Sequence, residues 1–80
     1  MQVVDLTGRY PAEANSIEIL VSTAPPNQAI DIYRAPDDAN PLRMADGAST
    51  IIGTPEQHTL YVQPLAAGTE FNVAVTAWFP

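Results

Sequence analysis

Nucleophilic catalysis in a chain without cysteine needs a hydroxyl beside a base. This sequence offers one histidine, His58, next to Thr59. No third residue stands out to orient that imidazole, so His58 reads as a surface histidine at the start of a strand rather than as a general base. The acids are the other candidates. Asp37-Asp38-Ala39-Asn40 and the later Asp46-Gly47 hold oxygen ligands of the hardness calcium prefers, but without the spacing of an EF-hand loop, and they read as solvated turns. Paired carboxylates for acid–base work would need environments that split their pKa values, and acids clustered in loops keep ordinary ones. The four glycines are scattered, so no phosphate-cradling loop forms, and Asn15, Asn27, Asn40 and Asn72 all lack the glycosylation spacing. The expectation is no enzyme, no cofactor and no metal.

Eighty residues make a single domain, 1–80, which buries only about 60–65% of its unfolded surface. With no cysteine and no metal cluster to staple it, oligomerisation or docking is the expected reinforcement. Nine acidic residues against three basic ones give a net charge of −6, which repels phosphate backbones and anionic lipids, so neither nucleic acid nor membrane is an expected partner. Gln2 to Asp5 do not form a basic n-region, and no apolar run approaches the ~20 residues of a membrane span. With Met1 as the natural start, the chain is expected to be made in the cytoplasm.

The elements that would position any site are strands. Gln2 to Leu6 is a short apolar run broken by Thr7-Gly8. Ile17 to Val21 alternates, with Ile17, Ile19 and Val21 on one side, and Pro25-Pro26 ends it. Ala29 to Arg34 puts Ile30 and Ile32 inward and Tyr33 outward. Ala35 to Ser49 is rich in Pro, Asp, Asn and Gly and should be mostly loop, with a short edge strand at Leu42 to Met44. Thr50 to Gly53 and His58 to Val62 add two more strands, the latter with Leu60 and Val62 inward. In the densest β-branched run, Phe71, Val73, Val75 and Ala77 share one face and Asn72, Ala74, Thr76 and Trp78 the other. No helical periodicity survives the prolines. Regularly spaced short strands predict an all-β, antiparallel sandwich of about six to seven strands.

Leu65 to Ala77, LAAGTEFNVAVTA, resembles the E–F corner and F strand of a fibronectin type III domain. On that pattern Val3 to Leu6 is similar to strand A, Ile17 to Val21 to B, Ala29 to Arg34 to C, His58 to Val62 to E and Glu70 to Phe79 to F. Phe71 stands where the family usually has tyrosine, and the tryptophan usual on strand B is missing, which leaves an immunoglobulin-like sandwich of another lineage open. The chain ends at Trp78-Phe79-Pro80, where the family would return as strand G, so the last strand is expected to be absent. Strand F would then carry an unpaired edge, covered either by another chain or by Met1 to Leu6 of its own.

The expectation is a non-enzymatic structural or interaction module. Outward aromatics in the alternation and the unpaired last-strand edge give Tyr33, Tyr61, Ala74, Thr76, Trp78 and Phe79 as interface residues. The family arrangement, with its adjacent C and F strands, implies one patch of Tyr33 and Trp78. Small free-standing sandwiches of this kind resemble accessory proteins of tailed-phage virions, which implies capsid decoration or tail attachment, partners among capsid or tail subunits or a second copy, and a virion location. The alternative is a glycan- or surface-binding adhesion module using Trp78, Tyr33 and the Ala35 to Ser49 loop. A third reading is a fragment of a longer bacterial surface protein.

Overall fold

Wherever β-branched and aromatic residues alternate with polar ones, the chain is extended. In a computed structural model, which describes residues 1–80, the strands are β1 (Gln2–Asp5), β2 (Ser16–Ala24), β3 (Ala29–Tyr33), β4 (Leu42–Ala45), β5 (Ser49–Gly53), β6 (Thr59–Pro64) and β7 (Glu70–Phe79). A 3-10 turn at Glu56–His58 joins β5 to β6. The strands form two antiparallel sheets, one ordered β1-β6-β3-β4 and the other β5-β2-β7. The fold is an all-β sandwich.

The inward residues of each alternation meet between the sheets. Ile17, Ile19 and Val21 of β2 are completely buried, as are Ile30, Leu60 and Val62 of the facing sheet, with Ile52, Met44 and Val73 closing the cluster. Each such side chain contributes about 1.5–3 kcal/mol on leaving water. The connection from β1 to β2 crosses between the sheets and seals one end with Leu6, Tyr10 and Ala14. At the other end the Asp46 carboxylate accepts the N–H groups of Thr23 (2.9 Å) and Asn27 (3.0 Å), tying the β2–β3 turn to the β4–β5 turn. Gly47, at φ +84°, supplies the left-handed corner of that second turn. The exposed surface, 4728 Å², matches the ~4,700 Å² expected of a folded monomer of 8.6 kDa.

Two expectations change. Glu70–Phe79, matched by sequence to strand F, pairs with β2, the strand matched to B, whereas Thr59–Pro64 pairs with β3, the strand matched to C. In the immunoglobulin arrangement F lies beside C, and E and A share a sheet with B. By position, therefore, β6 takes the place of F and β5 that of E, β1 the place of G beside it, and β7 that of A. Relative to that arrangement the two terminal strands are exchanged. Met1 to Leu6 accordingly does not cover β7; it pairs with β6.

The second change is in β7 itself. Its pairing with β2 shifts between Glu18 and Ile19, which oppose Ala77 and Val75, leaving Thr76 as the extra residue of a β-bulge. The bulge reverses the alternation beyond it. Ala77 now sits opposite the outward Glu18, and Trp78 opposite the buried Ile17, on the core side of the sheet.

Candidate docking surface

β7 is the last strand of its sheet, and its second edge has no neighbour. Which of its backbone groups are free follows from β2. The N–H of Val21 donates to the Ala48 carbonyl (3.0 Å) and its C=O accepts from Gly47 (2.8 Å), so the peptide groups of Val21 point toward β5. Just before β2, the Asn15 carbonyl likewise points to the β5 side, accepting the Thr54 N–H, while the Asn15 N–H turns to Phe79 at the end of β7. Backbone groups alternate sides along a strand, so Leu20 and Ser22 bond β7 through their partners Ala74 and Asn72. The N–H and C=O groups of Phe71, Val73 and Val75 point to the open edge. Beyond the bulge, those of Trp78 do so too.

Along this edge the side chains are mostly apolar: Phe71 and Val75 are half-buried against the core, while Trp78 and Phe79 are 43% and 39% exposed. The ten-residue strand has neither lysine nor an internal proline to blunt it, and the bulge at Thr76 is its one guard. There the Thr76 hydroxyl donates to Glu18 Oε1 at 2.7 Å, fixing the bulge to β2. The other edge strands are short, four residues in β1 and β4 and five in β5.

The six sequence-predicted residues fall into two groups. Ala74 and Thr76 lie on β7 with Trp78 and Phe79, and the Phe79 carbonyl accepts the Asn15 N–H at 2.8 Å. Tyr33 and Tyr61 are cross-strand partners on the outer face of the other sheet, continued by Val3 opposite Tyr61. The expected Tyr33–Trp78 patch does not form, because the strand bearing Trp78 joins β2 rather than β3 and the bulge turns its ring to the core side. Beside the tyrosines, Arg43 grips Asp31 through Nε (2.9 Å) and Nη2 (3.2 Å).

One feature was not anticipated from the sequence: a cleft of about 460 Å³ between the β4 and β5 edges, with Ile32, Leu42, Ile52 and Leu60 in its walls and Arg34 and Asp38 at its rim. The signal for it lay in Ile51 and Leu42, apolar residues flanking a loop, which are 56% and 39% exposed.

The residues considered for chemistry have structural settings. His58 stacks on Tyr10, ring centres 5.0 Å apart and tilted by 53°, and the Tyr10 hydroxyl and His58 Nδ1 are both buried without a hydrogen-bond partner. Asp38 accepts the N–H groups of Asn40 (2.9 Å) and Arg34 (3.3 Å), which lowers its pKa, Asn40 contributing most. Asp46 is lowered likewise by Asn27 and Thr23, so these two loop acids do not keep the ordinary values expected of them: backbone N–H groups held by the turns favour their charged forms. Nowhere do three or more His, Cys, Asp or Glu side chains gather as a metal site would require. No helix is long and apolar enough to cross a membrane. No protein-family model, curated protein or solved structure matches this chain.

Proposed function

We propose that the chain is a non-enzymatic interaction module of immunoglobulin-like, fibronectin type III-related design that docks onto a larger protein assembly through the open edge of β7. The observation that carries this reading is the row of unpaired peptide groups at Phe71, Val73 and Val75 on a ten-residue apolar strand. Strand addition gives affinity through the backbone and needs few side-chain contacts, which suits a part repeated at many equivalent positions. The acidic surface, with a net charge of −6, keeps such a part soluble before assembly and complements basic surfaces on a lattice. The assembly is the virion of a tailed phage, with the chain as a decoration or tail-attached protein, and this placement rests on analogy of size and architecture.

The test is uptake by capsid shells prepared without the chain. The protein should sediment with them and raise the temperature at which they disrupt, and Val75→Pro should do neither. Failure of the wild-type chain to associate with shells or tails overturns the virion reading.

The cleft between β4 and β5, with Arg34 and Asp38 at its rim, favours a second reading as a glycan-binding module. Titration with saccharides at about millimolar concentration separates the two, since heat of binding there, lost in Arg34→Ala, belongs only to the glycan reading.

A further inference from the structure

We infer that the first occupant of the β7 edge is a second copy of this chain, paired antiparallel about a two-fold axis at Val73, which fuses two three-stranded sheets into one of six strands. This deepens the docking reading above, on which it rests for the role of the edge.

The register follows from two constraints. Opposed residues in a sheet must point to the same face, so Phe71, Val73 and Val75, which face the core side, can oppose only one another across a two-fold axis, and that axis passes through a residue rather than between two. Only Phe71, Val73 and Val75 aim their peptide groups outward before the bulge. An axis at Val73 matches all three with their counterparts: Val73 with Val73 of the second copy, and Phe71 with Val75 in both directions. That makes roughly six inter-chain hydrogen bonds, against about four for an axis at Asn72 or Ala74.

The side chains agree with this register. On the core side it sets an aromatic ring against a β-branched residue twice, a favourable cross-strand pair. On the outer side Asn72 opposes Ala74. Glu70, the one charged residue of β7, opposes Thr76 and not another Glu70, so no like charges on the strand itself are forced together. The shorter edges compete poorly. β1 and β4 have four residues each, and Pro41 directly precedes β4.

The experiment uses two single variants of the full chain, which has no cysteine of its own. Asn72→Cys and Ala74→Cys lie on the outer face, away from the buried cluster, and circular dichroism checks that each is folded. In the inferred register residue 72 of one copy is directly opposite residue 74 of the other, within disulfide reach, whereas like positions sit on the diagonal at about 7–8 Å. Under mild oxidation an equimolar mixture of the two should give a covalent dimer, and either variant alone should not.

A dimer from Asn72→Cys alone overturns the register in favour of an axis at Asn72, and one from Ala74→Cys alone places the axis at Ala74. No cross-link in any sample, with the wild type monomeric by light scattering, overturns self-pairing altogether. In that last case uptake by capsid shells still reads the docking function separately. A wild-type chain that never joins a shell or tail, although its cysteine variants cross-link in this register, would sustain the pairing and sink the virion reading; the cross-linked dimer itself, its edge locked, is not the species tested.

Discussion

Val21 and Val73 stand directly opposite each other across β2 and β7, yet Val21 directs its backbone away from Val73, to Ala48 at 3.0 Å and Gly47 at 2.8 Å. The pair is therefore held by side-chain packing in the core, and the peptide groups of Val73 are left facing the open edge. From this one orientation the whole hydrogen-bonding pattern of β7 follows.

Proline scanning along β7 reads that pattern. Val75→Pro removes a donor that points outward, so the variant should stay folded, with a modest loss of packing, and lose association. Ala74→Pro removes a donor that bonds β2 and leaves its acceptor unpaired, at a cost of about 1–3 kcal/mol, so it should melt at a clearly lower temperature. Equal destabilisation by both variants would contradict the assigned orientation.

Deleting Thr76 tests the bulge. With the extra residue gone, Val75, Ala77 and Trp78 keep their partners Ile19, Glu18 and Ile17, so the fluorescence of the single tryptophan should not shift to the red. The straightened edge should associate more strongly, since a bulge is a device against edge pairing. A red-shifted emission would place Trp78 on the solvent face and contradict the register.

Tyr10 hides a hydroxyl that no other group satisfies while its ring packs on His58. Burial raises the pKa of that phenol. Tyr10→Phe keeps the packing and removes the unsatisfied group, so it should be neutral or stabilise by up to about 1 kcal/mol, whereas Tyr10→Ala should cost about 3 kcal/mol. Chemical denaturation of the two variants measures both.

Acid should loosen the turns first. The pKa of Asp5 is lowered by the Thr7 hydroxyl and N–H, that of Asp38 by the Asn40 and Arg34 N–H groups, and that of Asp46 by the Asn27 and Thr23 N–H groups. A carboxylate whose folded pKa is depressed stabilises fully above its unfolded pKa, about 3.9, and loses that contribution as pH falls through the folded value. Asp46→Ala should therefore melt below the wild type at neutral pH, with the gap closing as pH falls through the depressed folded pKa of Asp46. A gap that stays constant with pH would contradict the role of the carboxylate.

The strands and the core were legible in the sequence because alternation reports burial directly. Ile17, Ile19 and Val21, Ile30 and Ile32, and Leu60 and Val62 all face inward as their spacing requires. Which strands pair was not legible. A strand's pattern says which side is apolar but not which neighbour completes its ladder, and the resemblance of Leu65 to Ala77 to an E–F corner pointed β7 toward β3 rather than β2. Nor was the bulge legible, because Thr76 is an ordinary strand residue and only its two-against-one pairing with Glu18 marks it as extra. That single residue accounts for the misplaced Trp78. Of the candidate site, the open edge was visible from the chain's last strand, while the backbone parity at Phe71, Val73 and Val75 needed the positions of Ala48 and Gly47.

The most direct measurement is the solution mass of the chain by light scattering after size exclusion, across a dilution series and at two salt concentrations, with Val75→Pro alongside. The account predicts a dimer that dissociates on dilution, tightens with added salt because two chains of net charge −6 repel, and is abolished by Val75→Pro in a folded protein. A wild-type chain that stays monomeric at every concentration and salt, or a Val75→Pro variant that dimerises as well as the wild type, would contradict it.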